Sequence, residues 1–445
     1  MRYFLLCILL LVLMNPGFAQ PVKMLSADET VKLGLENNRQ LKASEYQARA
    51  AGAAYRETRR QMLPSITGQG QYLRLSSNIP DFEFSLPPEL FPSQSDQVFI
   101  APAILNRYDM RLIIQQPLFN GNRLRNTTQA AEHRSTAALQ SLRANETEMA
   151  YRIREAYWRL YRARGMQQVI ETALNQVQSQ LDIIQKMRDR GMALESDVLA
   201  VQARRSEVQL QQLDVEKAIK LNRLNLNYLA GLPLETQIRQ TDSVVVHPLT
   251  NDLGTLTSLA LQKRPDLGAL SSEVKATQAE VQTAQSRWFP QINLMGQYNY
   301  ARPNAYIVPQ EDVFTGTWEA GISVSMNLWS WGITHQRVQQ AKYRARQRES
   351  QFNDFKESVR VEVRQQVLEL ERALKSVSVA QEGVREARSA FNVMQQRFRQ
   401  GMALTAELLD AELTYRQAEL RHVQALTDYA IARAALTRSI GQTER

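Results

Sequence analysis

The sequence repeats itself at fixed distances, and this internal duplication restricts the possible folds more than any other feature. One set of similar segments lies 226 positions apart, and a later set lies 210 positions apart. The paired segments are Leu35–Leu41 with Leu261–Leu267, Met62–Ile66 with Trp288–Ile292, and Asp189–Leu194 with Arg399–Leu404. Two similar halves, 20–235 and 236–445, are therefore predicted, and the difference of 16 positions indicates a longer loop in the first half.

Each half reads as helix, strand, loop, strand, long helix, turn and helix. The long helix of the second half has no proline from Ile333 to Gln400, and its apolar residues recur every seven positions, as in a coiled coil. These residues are Val363, Leu370, Val377, Val384, Phe391 and Phe398. Shorter helices are predicted at about 39–62, 196–229, 266–289 and 406–439. The long helix of the first half, 121–190, would measure about 105 Å, a length that suits a spacer across a compartment.

Four segments between the helices alternate apolar and polar residues with a period of two, which is typical of strands. They lie at about 65–75, 107–118, 291–301 and 317–328. Strands of about ten residues with one apolar and one polar face are the unit of transmembrane barrels. A soluble sheet is the alternative, but the rest of the chain is a coiled coil that already satisfies its own seam. The pattern therefore favours strands that cross a membrane.

A sheet inside a bilayer cannot keep open edges, because unpaired backbone groups there cannot reach water. Four strands cannot close on themselves, since the smallest bacterial barrels have about eight. Trimerisation, which gives twelve strands, is the simplest closure that leaves a lumen. Aromatic residues gather at the helix-side ends of the strands, where an interfacial belt is expected. They are Phe119, Trp288, Phe289, Trp329 and Trp331.

The connection between the first two strands, residues 76–106, is long and rich in proline. Its prolines are Pro80, Pro87, Pro88, Pro92 and Pro102, and they predict a loop without further strand pairing. The longer loops of bacterial barrels face the outside of the cell. The helices are therefore expected to point into the periplasm.

The first residues have the pattern of a secretory signal. One arginine, an apolar run from Phe4 to Met14 and the small Ala19 predict a signal peptide at 1–19 and an unacylated mature chain from about Gln20. The single cysteine, Cys7, lies inside this segment, so we expect no disulfide and no cysteine metal site in the mature chain. The net charge of +9 comes from Lys and Arg that alternate with Glu and Gln along helices, which indicates a solvated surface rather than a nucleic-acid partner.

At this point the chain resembles the TolC family of outer-membrane efflux proteins over essentially its mature length. The duplicated halves, the Leu63-Pro64 and Phe289-Pro290 entries into strands and the two Gly-Met turns carry the resemblance. It implies a mainly α fold with transmembrane β structure: four strands per protomer in a homotrimeric barrel of twelve, on a long α-helical coiled-coil barrel in the periplasm. It also implies outer-membrane lipid around the barrel, a periplasmic adaptor (a membrane fusion protein) and an inner-membrane pump of RND, ABC or MFS type as partners.

Two sites follow from the resemblance residue by residue. The family's adaptor-contacting tip motif corresponds to Gly191-Met192 and Gly401-Met402, although a plain helix–helix turn would also explain the glycines. The family's acidic ring at the periplasmic mouth corresponds to Glu407 and Asp410, which would attract cations. The alternative is that these acids complement a helix dipole, with Thr405 as the cap.

One functional position departs from the family pattern. The arginine that latches the family's closed gate corresponds to Ala403, and Arg397 or Arg399 are candidates to replace it. The sequence thus does not predict whether the gate is closed at rest.

An enzyme is not predicted. The four histidines, His133, His247, His335 and His422, are dispersed, and the sequence contains no metal spacing, nucleophile elbow or phosphate loop. No cofactor or metal is therefore expected. The alternative function is a periplasmic coiled-coil structural or adaptor protein without a pore, although an adaptor would have one hairpin and no amphipathic strands.

Overall fold

A computed structural model describes residues 22–85 and 97–442. The predicted signal peptide, 1–19, lies outside the described residues. The helices are α1 (Ala27–Asn37), α2 (Arg39–Arg60), α3 (Arg123–Asp189), α4 (Glu195–Leu229), α5 (Leu253–Lys263), α6 (Pro265–Gln285), α7 (Ile333–Arg399) and α8 (Thr405–Ser439). The strands are β1 (Lys23–Leu25), β2 (Ser65–Arg74), β3 (Phe82–Ser85), β4 (Gln97–Ala101), β5 (Asn106–Phe119), β6 (Ile238–Gln240), β7 (Gln291–Arg302) and β8 (Thr315–Ser325).

The main sheet has four antiparallel strands in the order β2-β5-β7-β8. Its central pair, β5 and β7, joins the two halves of the sequence. Two smaller pairs accompany it: β1 with β6, which are parallel, and β3 with β4. Strands β2 and β8 form the two edges of the main sheet.

The coiled-coil prediction is confirmed by burial along the long helices. Helices α3 and α7 each contain 67 residues, and α4 and α8 each contain 35. The heptad residues Val363, Leu370, Val377, Phe391 and Phe398 are all buried. The ends of these four helices lie within about two residues of the predicted ends, because proline-free heptads favour one continuous helix.

Two sequence expectations are wrong in detail, and two helices were missed. The strand predicted at 317–328 ends at Ser325, because that residue pairs with Gln291 and the partner strand is preceded by Pro290, which cannot donate a hydrogen bond. The loop predicted at 76–106 contains the β3–β4 hairpin, whose strands lie between Pro80 and Pro102. Helices α1 and α5, which begin the two halves, were not expected.

The ends of α4 and α8 show the duplication in atomic detail. Each helix ends in a glycine with positive φ, Gly231 at 67° and Gly441 at 72°. A side chain at either glycine would collide with the backbone of the preceding helix junction, at Asn37 in the first half and at Arg264 in the second. These junctions also bind the helix ends: Asn38 donates to the carbonyl of Leu229 at 2.9 Å, and Arg264 donates to the carbonyl of Ser439 at 3.2 Å. Glycine is therefore required where the two backbones meet.

The chain divides into two compact units, and each unit takes segments from both sequence halves. One unit contains residues 48–138 and 270–352, including the main sheet. The other contains residues up to 47, 139–269 and from 353 onward, and it holds two hydrophobic clusters formed by the coiled-coil helices. Among the described residues, no helix combines the length and the hydrophobicity needed to cross a membrane.

Candidate functional site: the two-faced sheet and the helical tip

The register of the main sheet places most apolar residues of the four strands on one face, and only a few, such as Leu73, Ile113 and Met295, on the other. Partners across the sheet have the same parity: Tyr298 lies between Leu112 and Trp318. The apolar face consists of Ile66, Tyr72, Tyr108, Met110, Leu112, Ile114, Leu294, Tyr298, Tyr300, Trp318, Ile322 and Val324. Trp318 is 79% exposed and Ile322 is 65% exposed. An uncovered apolar face of this size requires an apolar surrounding.

Aromatic residues border this face at both ends of the strands. At the helix-side end, Trp329 and Trp331 contact each other edge to face with ring centroids 5.8 Å apart, and both are exposed. At the loop-side end, Tyr72 contacts Tyr108, and Phe314 contacts both Tyr108 and Tyr300. The second group was not anticipated from the sequence, because register rather than spacing brings it together. Two aromatic girdles around an apolar band are the arrangement of transmembrane strands.

The opposite face of the sheet is polar. It presents mainly amides and hydroxyls: Thr67, Gln69, Gln71, Gln115, Asn293, Gln297, Asn299, Thr317 and Ser323. Its charged residues are Arg107, Asp109, Arg111 and Glu319. Arg111 donates two hydrogen bonds of 2.6 Å to the carboxylate of Asp109, two positions earlier on the same face. This face can line an aqueous passage.

The two Gly-Met turns have the same geometry. Gly191 and Gly401 have φ of 74° and 73°. In each turn the methionine amide donates to the carbonyl five residues earlier, at 2.8 Å, and the glycine amide donates to the carbonyl three residues earlier. This pattern is the Schellman motif, which requires a residue in the left-handed region.

Both turns lie at the same end of one four-helix cluster, and they expose apolar side chains. Ala193 and Ala403 pack against the tip cluster, which contains Ile184, Val198, Phe398 and Leu408 among its buried residues. Met192 and Met402 are exposed, and so are Leu194 and Leu404, at 71% and 70%. The two leucines were not recognised as site residues, although the duplicated Gly-Met-Ala-Leu segment contains them.

The two acids of the expected gate differ in their contacts. Glu407 accepts a hydrogen bond of 2.9 Å from the backbone amide of Leu404, and Asp197 makes the equivalent contact with Leu194 at 3.0 Å in the first half. Thr405 is not the cap, because the helix begins at Thr405 and Leu404 occupies the cap position. Asp410 is exposed and its first-half counterpart is Ala200, so only the second half carries the acid pair.

The position of the missing arginine belongs to the hydrophobic tip. Ala403 is half-buried against the tip cluster, where a charged side chain would be desolvated. Of the two candidate replacements, Arg397 donates to the carbonyl of Met402 at 3.3 Å and so stabilises the turn itself. Arg399 is exposed.

Two charged residues lie buried where α4 meets α8. Glu412 and Arg416 on α8 are 0% and 2% exposed, and they face Arg204 and the more exposed Glu207 on α4. The charged atoms of Glu412 and Arg416 approach each other and the α4 residues no closer than 3.8–4.0 Å, so these contacts are ion pairs without good hydrogen bonds. Burial raises the pKa of Glu412, although the two arginines lower it. Sequence analysis missed this group, because α4 and α8 are far apart in the chain.

The profile of the family described as outer membrane efflux protein matches residues 30–232 and 256–442. The chain is 24% identical over 332 residues to the outer membrane efflux protein BepC of Brucella suis, which covers 74% of this chain and 71% of BepC. It is 23% identical over 335 residues to the alkaline protease secretion protein AprF of Pseudomonas aeruginosa, which covers 74% of this chain and 68% of AprF.

The fold also matches solved structures. The outer-membrane channel OprN superimposes with a TM-score of 0.77 at 21% identity, over 94% of this chain and 90% of OprN. At this low sequence identity, the structural likeness shows a shared arrangement of helices and strands.

The buried Glu412 predicts a pH dependence of stability in the helical unit. Because the fold favours the neutral form of this carboxyl, its contribution to the free energy of unfolding falls as pH rises above its usual pKa of 4.5. The Glu412→Gln variant should therefore become more stable relative to the wild type as pH rises through that window. Glu369→Gln is the matched control with opposite sign, because a hydrogen bond from Arg372 lowers the pKa of Glu369.

Thermal unfolding from pH 3 to 8, followed by the helix signal, would measure both differences. A Glu412→Gln difference that stays constant above pH 4.5, or follows the direction of Glu369→Gln, would contradict the expected effect of burial.

Proposed function

The chain belongs to the outer membrane efflux protein family and is an outer-membrane channel for efflux or secretion, and on that premise we propose that three copies form one continuous duct. The three sheets close into a twelve-stranded transmembrane barrel with the apolar face toward lipid and the polar face toward the lumen. The coiled-coil helices form a tunnel in the periplasm. The alternative of a coiled-coil protein without a pore leaves the exposed apolar face unexplained.

The main sheet is the observation that carries this proposal. It has one apolar face, one polar face and two edges, β2 and β8. Inside a bilayer these edges must pair, and pairing β2 of one copy with β8 of the next closes a ring without a free edge. Twelve strands fall within the range of about 8 to 26 in bacterial barrels and leave a lumen.

Exposed stripes on two helices support the same closure in the helical unit. On α4 the exposed Leu199, Leu210, Leu213, Leu221 and Tyr228 lie within about 80° of one another around the helix. On α7 the exposed Val361, Leu368, Val379 and Val393 lie within about 40°. Apolar stripes of this kind are the surfaces through which coiled-coil helices pack against a partner helix.

We infer the partner of each stripe from the duplication. The residues 210 positions away in the other half, on α8 and α3, are packed inside the chain: Leu409 for Leu199, Leu420 for Leu210, Trp158 for Leu368 and Ile183 for Val393. Within the chain, α3 meets α8 where Gly165 faces Val423. The equivalent contact is Lys375 on α7 with Leu213 on α4. Because Lys375 and Leu213 are both exposed within the chain, we assign this contact to neighbouring copies.

The tip supports the proposal that a periplasmic adaptor docks there. Four apolar side chains, Met192, Leu194, Met402 and Leu404, stand exposed on two rigid turns. Methionine and leucine on a fixed turn offer an adaptable apolar contact to a helical hairpin. We propose a periplasmic adaptor at this tip, linked to an inner-membrane pump of RND, ABC or MFS type.

Disulfide trapping tests the trimer. A Cβ at Gly165 would lie 3.8 Å from the Cβ of Val423, which suits a disulfide. The Gly165→Cys/Val423→Cys pair should therefore link within one chain. The equivalent Lys375→Cys/Leu213→Cys pair should link between chains and give dimer and trimer bands under oxidising conditions, in a background with Cys7 replaced.

Single-cysteine variants provide the control, because neither should form the trimer band. An intrachain link from Lys375→Cys/Leu213→Cys, or monomers by mass in detergent, would overturn the trimeric closure.

Substitution at Gly401 tests docking at the tip. No atom lies within 4 Å of a Cβ added there, and the positive φ tolerates Asn and Asp better than other residues. Gly401→Asp should keep the trimer and its membrane insertion but lose adaptor binding, since it places a carboxylate among apolar contacts. The isosteric Gly401→Asn is the control and should keep most of the binding. Adaptor co-purification after crosslinking measures both, and equal binding by the two variants would exclude docking at this turn.

We also propose that Glu407 and Asp410 form an acidic ring at the periplasmic mouth. The pair is exposed and occurs only in the second half, so three copies would gather six carboxylates around the axis. Glu407 also caps its helix, but this capping contact does not involve Asp410. The first-half counterpart of Asp410 is Ala200, so the equivalent helix end forms without an acid at this position.

Bilayer currents separate the ring from the cap. Glu407→Gln with Asp410→Asn should weaken cation selectivity and raise the concentration of trivalent cation that blocks the channel. Asp197→Asn is the matched control, because it removes the charge from the equivalent capping contact in the first half, just as Glu407→Gln does in the second. If both variants change selectivity equally, or neither does, the two acids act only as helix caps.

A further inference from the structure

The connection between β7 and β8, residues 303–314, folds back over the polar face of the sheet. Asn304 is 1% exposed, and Ala301 and Asn299 beneath it are also buried. Both of these strand residues belong to the polar face, where Asn299 pairs with Arg111 and Thr317. A loop that pointed away from the strand ends would leave all three exposed.

Asn304 anchors this loop through every hydrogen-bonding group of its side chain. Its amide donates to the carbonyl of Thr315 at 3.0 Å and to the hydroxyl of Thr317 at 3.2 Å. Its carbonyl oxygen accepts from the backbone amide of Tyr306 at 3.0 Å. A buried amide satisfied in this way fixes the loop in one position.

Tyr306 extends the fold-back along the polar face. Its hydroxyl donates to the carboxylate of Glu319 at 3.1 Å. Glu319 pairs with Gln297 on the polar side of the sheet, two positions farther from the loop than Thr317. This bond therefore holds the tyrosine over the polar face of the sheet, inward from the loop-side end of β8.

The other arm of the loop is fixed on the opposite face. Asp312 accepts two hydrogen bonds from Arg302, at 2.8 and 2.9 Å, and Phe314 stacks on Tyr300 of the apolar face. The loop thus straddles the rim of the sheet, and only its first arm, 304–306, lies on the polar side.

We propose that residues 304–306 project into the lumen at the mouth opposite the helices and narrow the channel there. This inference rests on the proposed closure, in which the polar face lines the pore. Three copies would then bring three Tyr306 rings into the passage, each held by its bond to Glu319. Rings at this position would restrict the passage of solutes by their diameter.

Cysteine labelling tests the position without disturbing the fold. With Cys7 replaced, Tyr306→Cys places a thiol on the lumen side, and Asp312→Cys places one on the opposite side of the same loop. A bulky thiol reagent should reduce the single-channel conductance of Tyr306→Cys in a planar bilayer and leave that of Asp312→Cys unchanged. Equal reduction in both variants, or in neither, would overturn the lumenal assignment.

Release of the anchor tests the narrowing. Asn304→Ala with Tyr306→Ala should let larger polyethylene glycols enter the barrel from the loop side and raise single-channel conductance on the order of 1.5-fold, because a wider passage adds less resistance in series. Tyr306→Phe, which removes only the bond to Glu319, should give a smaller change in the same direction. If wild-type protein forms channels and both variants match it in polymer entry and conductance, the constriction is excluded while the channel stands. If wild-type protein is a monomer by mass in detergent, the proposed closure itself fails.

Discussion

The alternation of side chains along four paired strands is the constraint on which the rest of the structure depends. Because partners across β2, β5, β7 and β8 share parity, most apolar side chains of the sheet face one way. A register shift of one residue would invert this arrangement, so burial of the apolar face in lipid would fix the register. The same sheet has two edges that are unpaired within the chain, and the proposed oligomer would pair them, because free backbone groups cannot reach water inside a bilayer.

The duplication gives part of the helix surface two environments. Some apolar positions that are packed in one half have exposed counterparts in the other, as Leu409 and Leu199 show, whereas Val198 and its counterpart Leu408 are both buried. In the proposed ring of three chains, two similar halves per chain would occupy six nearly equivalent positions, and the contacts between copies would repeat those within a chain. The exposed stripes of α4 and α7 fit this proposal, because half of the contacts in such a ring would join different copies.

Periodicity decided how much of the fold the sequence could predict. Long heptads gave α3, α7, α4 and α8 with ends correct to about two residues, and alternation gave the main strands. Helices α1 and α5 were missed because they are 11 residues long and are held by tertiary contacts, such as those of the buried Val31 and Leu256. Of the candidate site, the sequence predicted both turns but missed Leu194, Leu404 and Asn304, whose roles depend on exposure and on contacts across the sheet.

The buried charges show where the two halves have diverged. Within the chain, α4 and α8 meet through Arg204, Glu207, Glu412 and Arg416. The residues 210 positions away, which would meet between copies, are Thr414, Gln417, Gln202 and Ser206, and all are uncharged. Burying loosely paired charges costs desolvation energy, and contacts between copies also lose translational and rotational freedom on association. In the proposed ring, the contact within one chain is covalently tethered and tolerates the desolvation cost, whereas the contact between separate chains would be made by neutral side chains.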